Sequence, residues 1–253
     1  MRIVRFAVNN KVEYGILSDE SIRALAGAPF RGIKPANELY RLSEVRLLAP
    51  CLPSKIVALG FNYRSHVEEI KTRVPEAPLI FLKPSTSVIG PEDNIVYPPS
   101  STRVDYEGEL GVVIKKKAWR VPREKALDYV LGYTCLNDVT ARDLQAQDKQ
   151  WTRGKSFDTF APIGPWIETE LDPGRVWVET YLNGELKQRA NTSDLIFDVP
   201  ELVRFISEVM TLLPGDVIAT GTMSGIGPML PGDTVGIKIE GIGTLRNYIV
   251  RLD

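Results

Sequence analysis

The sequence predicts a mainly β fold of the α+β class, with a small β-rich N-terminal unit over residues 1–50 and a larger β-rich unit over 51–253. Three observations carry this. Short runs rich in Val, Ile and Leu recur between Gly, Pro, Asn and Asp turn signals. No regular alternation of strand and helix is present, which excludes a doubly wound nucleotide-binding fold. Only one segment has the spacing of a core-packing amphipathic helix.

In the first unit, Ile3-Val4, Phe6 and Val8 precede Asn9-Asn10, and Val12, Tyr14 and Ile16 follow, predicting two short strands around a turn. The stretch from Leu47 to Pro53 reads as a linker, because Pro50 and Pro53 punctuate it. The larger unit opens at Lys55-Ile56-Val57-Ala58-Leu59, and strands are expected over 79–82, 110–114, 130–136, 176–182, 217–220, 235–239 and 245–250. Asn183-Gly184 is a tight-hairpin signal. Helices are expected over 62–74, 140–150 and 198–213, the first two polar nearly throughout. In the third, Leu202, Phe205, Ile206, Val209, Met210 and Leu213 recur at helical spacing, with Asp198 and Glu201 as a capping box. The repeated Leu-Pro-Gly-Asp at Leu213 and Leu230 is turn chemistry. Gly225-Ile226-Gly227 lacks the strand–loop–helix context of a dinucleotide fingerprint.

Composition excludes several classes. The 31 basic and 32 acidic residues leave a net charge of -1, so nothing draws the whole chain to nucleic acid or a membrane surface. Lys115-Lys116-Lys117 reads as a solvated strand end. No apolar run is long enough to span a bilayer, and the N-terminus lacks a secretory layout. Cys51 and Cys135 have no metal-ligand spacing, and a reduced cytoplasmic protein is expected. The single histidine, His66, excludes zinc sites built from several His and Cys ligands.

The chemistry starts at Asp105-Tyr106-Glu107-Gly108-Glu109-Leu110. Residues two apart on a strand share a face, so Glu107 and Glu109 aim together. Paired like charges are unfavourable unless water screens them or a cation faces them. Asp138, where an apolar run gives way to a polar segment, supplies a third carboxylate, and Asp105 and Asp143 compete for that place. Two glutamates and one aspartate make an all-oxygen set suited to Mg²⁺ or Mn²⁺. His66 and Glu69, three apart on a helix, pair either as an oriented general base or as an ordinary surface pair. Lys155 lies in a polar segment before apolar Ile163, placed to hold an anionic substrate or to stand in a loop. The loop from Ala219 to Gly227 offers backbone N–H groups and the Thr222 hydroxyl to a carboxylate, or is an ordinary glycine turn.

Taken together, GFNYRSHVEE, FLKPSTSVIGPEDNI, DYEGELGVVI, GYTCLNDVTARDLQ, RGKSFDTFAPIGPW and ATGTMSGIG resemble blocks of the fumarylacetoacetate hydrolase family, in its order, from about Ile56 to the C-terminus. The resemblance implies a catalytic domain of mixed β-sandwich or roll type, usually a homodimer, preceded here by the small N-terminal domain. It implies Mg²⁺ or Mn²⁺ on Glu107, Glu109 and Asp138, with His66 and Glu69 as a dyad on a mobile lid and Lys155 as the active-site lysine. Gln147, Thr222, Arg142 and Asn62 fall at or near substrate-contacting positions, and Met223 stands where the family often has proline. The expected substrate is a small 2-oxo acid or its enol, and the cation and Lys155 would share the charge of its enolate. Carbon–carbon cleavage ranks first: acylpyruvate hydrolysis or oxaloacetate-type decarboxylation. Isomerisation of a 2-hydroxyhepta-2,4-diene-1,7-dioate, in aromatic catabolism, follows closely. A non-catalytic oxo-acid- or metal-binding protein on the same fold is the alternative from another class.

Overall fold

The apolar runs assemble into three sheets. The structure, a computed structural model, describes residues 1–251; Leu252 and Asp253, the end of the expected 51–253 unit, lie outside the described residues. The largest sheet has 12 strands, its main path running Pro35–Arg41, Ser21–Leu25, Lys11–Ser18, Arg2–Val8, Ala161–Glu168, Val130–Asn137, Gly108–Ile114, Val217–Ala219, Lys55–Gly60, Leu79–Pro84. A five-stranded sheet (Glu185–Asn191, Trp177–Leu182, Thr234–Ile239, Gly243–Val250, Asn94–Val96) and a three-stranded one (Thr140–Ala141, Val104–Tyr106, Gly227–Met229) complete the mainly β architecture.

The central strands explain the packing. Every residue of Gly108–Ile114 is buried, so both faces of the strand lie in core. Leu110, Val112 and Ile114 join a cluster with Val178, Leu202, Ile206 and Ile237. Val113 points the other way, into a second cluster with Ile3, Ile56, Leu136 and Ile163. Period-two alternation thus feeds two cores from one strand.

The first fifty residues hold five strands, not two: Arg2–Val8, Lys11–Ser18, Ser21–Leu25, Pro35–Arg41 and Arg46–Leu48. Ser21–Leu25 and Pro35–Arg41 carry too many exposed polar residues to read as strands from apolar content. The predicted turn forms, with Asn9 and Asn10 at φ 48° and 61°, as a two-residue hairpin requires. Arg2–Val8 pairs with Ala161–Glu168, so this unit extends the large sheet.

The first two expected helices are shorter than their polar stretches. The first spans Arg64–Glu69 and ends just before Lys71, whose φ of 53° breaks the helical path. In the second, Thr140–Ala141 pairs with Val104–Tyr106 instead, and helix covers only Arg142–Gln147. The third spans Val199–Val209. Its Asp198 caps the Glu201 N–H at 3.0 Å, while Glu201 engages Arg204 at 2.6 Å, so only half of the capping box forms. Replacing Asp198 with alanine removes the cap and the exposed Arg123 pair, and a stability loss of about 1 kcal/mol is expected in urea titration.

Candidate metal centre

One antiparallel strand pair brings the acids together. Glu107 stands at the one-residue break between Val104–Tyr106, in the small sheet, and Gly108–Ile114, in the large one. Glu109 is the second residue of that strand, and Asp138 follows its antiparallel neighbour Val130–Asn137. The corner is tied by the Asp138 N–H donating to the Glu107 carbonyl and the Glu107 N–H donating to Asn137 Oδ1, both at 2.9 Å. Glu107, Glu109 and Asp138 are buried and present carboxylate oxygens within 4.8 Å of one another.

Cations surround two of the three. Lys155 Nζ donates to Glu107 Oε2 at 2.7 Å and to Asp138 Oδ2 at 2.6 Å. Arg142 Nη2 donates to Glu107 Oε1 at 2.5 Å, and Lys83 Nζ to Asp138 Oδ1 at 2.5 Å. Burial alone would raise the Glu107 carboxyl, but Lys155 and Arg142 outweigh it and hold it well below the usual range. Burial also opposes charge on Lys155, yet Asp138 and Glu107 hold its ammonium above the usual lysine range. Glu109 differs: among the described residues its only hydrogen-bond donor is the Gly221 N–H, at 2.7 Å. Burial, then Asp138, then Glu107 push its carboxyl well above the usual range. A buried carboxylate beside two others, with no cationic side chain bonded to it, has the fit a divalent cation completes, and three oxygen donors suit Mg²⁺ or Mn²⁺. Gly221 reaches Glu109 from φ 96°, where a side chain is strained and a Cβ would lie 2.9 Å from that of Asn62.

The competing acids are occupied elsewhere. Asp105 is held by Arg103 and Arg142, and Asp143 by Ser101 and Thr102.

Beside the triad opens a pocket of about 300 Å³. Glu107, Arg142, Gln145, Lys155, Thr222 and His66 give it a polar side. His66 is buried, and its Nδ1 lies 3.1 Å from Glu69 Oε2. The other Glu69 oxygen accepts the Gly225 N–H at 2.9 Å, so the short helix is tied to the glycine loop. Thr222 lines the pocket, but its hydroxyl already donates to the Gly108 carbonyl at 3.1 Å and accepts from Gln188 at 2.9 Å.

Two residues expected at or near substrate lie outside the pocket lining. Gln147 does not line the pocket; its Oε1 accepts from Arg153 near the surface. Gln145 lines the pocket instead, because it lies one helical turn after Arg142 and shares its face, bonded to Arg142 Nη1 at 2.6 Å. Asn62 is also outside the pocket lining and is fully committed: its amide donates to the Phe197 and Thr220 carbonyls and its Oδ1 accepts the Phe197 N–H. Asn62→Ala is expected to cost about 2 kcal/mol, visible as a lower urea midpoint, because buried main-chain partners lose their bonds.

Lys83 was not singled out from sequence, although Phe81 and Lys83, two apart on Leu79–Pro84, share one strand face. It is fully buried, on Asp138 and the Val139 carbonyl. Burial pushes both thiols, Cys51 and Cys135, up to about 12, which removes them as nucleophiles near neutral pH.

Comparison with known proteins is consistent along the chain. The family model described as Fumarylacetoacetate (FAA) hydrolase C-terminal matches residues 55–250, and one described as Rv2993c-like, N-terminal matches residues 1–50. A Bacillus subtilis protein named oxaloacetate tautomerase YisK is 46% identical over 85% of this chain and 78% of its own. The crystal structure of 5-carboxymethyl-2-hydroxymuconate delta-isomerase from Mycobacterium smegmatis superposes with a TM-score of 0.95 at 46% identity, covering 100% of both chains. That of maleylpyruvate hydrolase from Sphingobium sp. SYK-6, in complex with manganese(II) and pyruvate, gives a TM-score of 0.83 at 32% identity, again over 100% of both.

Proposed function

Because the chain belongs to the fumarylacetoacetate hydrolase family, we propose that it is a divalent-metal-dependent enzyme acting on small 2-oxo acids through their enolates. Its proposed reaction is carbon–carbon cleavage of an acylpyruvate-type substrate. One observation carries this reading: a single pocket is lined by Lys155, by His66 with Glu69 behind it, and by Glu107 of the acid triad. Glu107, Glu109 and Asp138 would hold Mg²⁺ or Mn²⁺, and the relative crystallised with manganese(II) and pyruvate supports that assignment. A bound cation supplies Lewis acidity toward the 2-oxo oxygen.

The protein's own groups do the rest. Lys155, pinned by two acids, sets a fixed positive charge beside the oxygen that becomes negative, and needs no reorganisation during reaction. Glu69 orients the imidazole by accepting from Nδ1–H, which leaves Nε2 to take a proton. In hydrolysis, Nε2 takes a proton from water as its oxygen adds to the distal carbonyl carbon. The bond from that carbon to the methylene breaks, and its electron pair stays on the methylene carbon, conjugated with the 2-oxo group. Return of the proton to that carbon yields pyruvate and a carboxylic acid.

Keto–enol interconversion is the second reading, favoured by the relatives named tautomerase and isomerase. It needs only a proton moved between that carbon and the 2-oxo oxygen, with no water added and no carbon–carbon bond broken. Wild-type protein given acetylpyruvate separates the two, since cleavage releases pyruvate and interconversion does not; His66→Ala then tests the proposed base. It is expected to lower pyruvate release from acetylpyruvate by about 10²–10⁴-fold with metal affinity unchanged. Wild-type release in that variant would remove the hydrolytic role from His66.

A further inference from the structure

A buried side chain that the mechanism does not use touches two parts of the site at once. Gln188 lies on Glu185–Asn191, in the five-stranded sheet, and is 1% exposed. The two-residue turn at Asn183-Gly184 sets Leu182 against Glu185 and Tyr181 against Leu186. Continued unbroken, that register would set Lys187 against Thr180. The pairing skips a residue there, and Gln188 opposes Thr180 instead. The bulge thus turns an amide, and not an ammonium, toward the interior.

Every hydrogen-bonding group of that amide is taken. Its Oε1 accepts the Gly108 N–H at 3.0 Å and the Thr180 hydroxyl at 2.8 Å. Its Nε2 donates to Thr222 Oγ1 at 2.9 Å and to the Met223 carbonyl at 3.0 Å. A peptide N–H only donates and a carbonyl only accepts, so the amide has one orientation. Thr222 in turn donates to the Gly108 carbonyl. Gly108 is the residue between Glu107 and Glu109, and Thr222 and Met223 belong to the glycine loop beside the pocket. The fit leaves no slack. A Cβ on Gly108 would run into the Thr180 hydroxyl, and one on Gly225 would lie 2.5 Å from the Lys187 carbonyl.

We propose that Gln188 is a positioning residue that couples the acid triad to the glycine loop. Through Gly108 it fixes the directions of Glu107 and Glu109. Through Thr222 and Met223 it makes the loop respond to a cation on those acids, and by linkage the loop's order feeds back on cation affinity. The inference rests on the reading of the three acids as a metal centre.

Gln188→Met tests it by keeping the length of the side chain and removing all four bonds. Gln188→Asn keeps the amide but, one methylene shorter, cannot reach both sides. Asn247→Leu is the control: Asn247 is a buried amide of the same sheet, outside the pocket lining, that donates to the Gly90 and Asp93 carbonyls. Each protein is titrated with Mn²⁺ by calorimetry, and hydrogen–deuterium exchange of residues 222–227 is followed with and without Mn²⁺. Gly221 is left out because it bonds Glu109 directly. In wild type, Mn²⁺ is expected to bind and to slow exchange in the loop. Both Gln188 variants should bind Mn²⁺ at least about tenfold more weakly, the scale of partners behind metal ligands, and lose most of the slowing at saturation. Asn247→Leu should lose stability in urea and keep both properties. Wild-type affinity or an unchanged loop response in a Gln188 variant, equal weakening in Asn247→Leu, or a wild-type loop indifferent to Mn²⁺ would each overturn the coupling and leave the metal centre standing. A wild type that does not bind Mn²⁺ would remove the metal centre and the coupling together. The wild-type exchange measurement decides even where neither Gln188 variant folds.

Discussion

Replacing Glu109 with glutamine is expected to weaken Mg²⁺ and Mn²⁺ binding by at least about 100-fold and to remove metal-dependent turnover. Partners behind metal ligands are already worth about 10–100-fold in affinity, so a ligand carrying full charge is worth at least that. The choice of glutamine isolates the charge. A side-chain amide oxygen can still accept the Gly221 N–H, and the volume is nearly unchanged. In the metal-free protein the same change should leave stability no lower than wild type, because Glu109 is the one of the three buried acids that no basic side chain bonds. Manganese titration by calorimetry together with urea unfolding separates the two effects. Lost stability with retained metal affinity would assign Glu109 to structure and leave the centre without its key ligand.

The second large effect belongs to Lys83. Its Nζ is completely buried, 2.5 Å from Asp138 Oδ1 and 3.1 Å from the Val139 carbonyl. Burial lowers its affinity for a proton, and Asp138 opposes that fall without cancelling it. Replacing it with methionine keeps most of the volume but removes one partner of a buried pair, and such removals cost about 3–5 kcal/mol. A drop of that size in urea unfolding of metal-free protein is expected. Added Mg²⁺ should restore part of it, since a cation bound at the triad supplies positive charge beside Asp138 and stabilises the state that binds it. A variant as stable as wild type would show that Asp138 is satisfied by Lys155 alone.

What could be read from the sequence follows physical range. The acids Glu107 and Glu109 lie two apart on nearly continuous strand, so their shared direction needed only the β period, which survives the change of sheet at Glu107. The helix Val199–Val209 was visible because its apolar stripe and N-cap are local. Where a decisive contact is distant, local pattern says little. Asn62 looked like a polar residue near a site, and its fate is set by Phe197 and Thr220, more than a hundred residues away. Gln145 and Gln147 are alike in composition, and only the helix face of Arg142 chooses between them. Phe61, Phe81 and Trp151, whose rings meet edge-on beside the pocket, come from three separated segments, each an ordinary apolar position by itself. Ser21–Leu25 and Pro35–Arg41 became strands through pairing with neighbours that their own composition does not announce.

The central claim is that this pocket cleaves or enolises a small 2-oxo acid only with a divalent cation on the triad. The most direct measurement is pyruvate release and loss of enol absorbance when metal-stripped protein is given acetylpyruvate, before and after Mg²⁺ is restored. The account predicts no turnover before, turnover after, and none in either case for Glu109→Gln. Equal rates with and without metal, or restored turnover in Glu109→Gln, would contradict it.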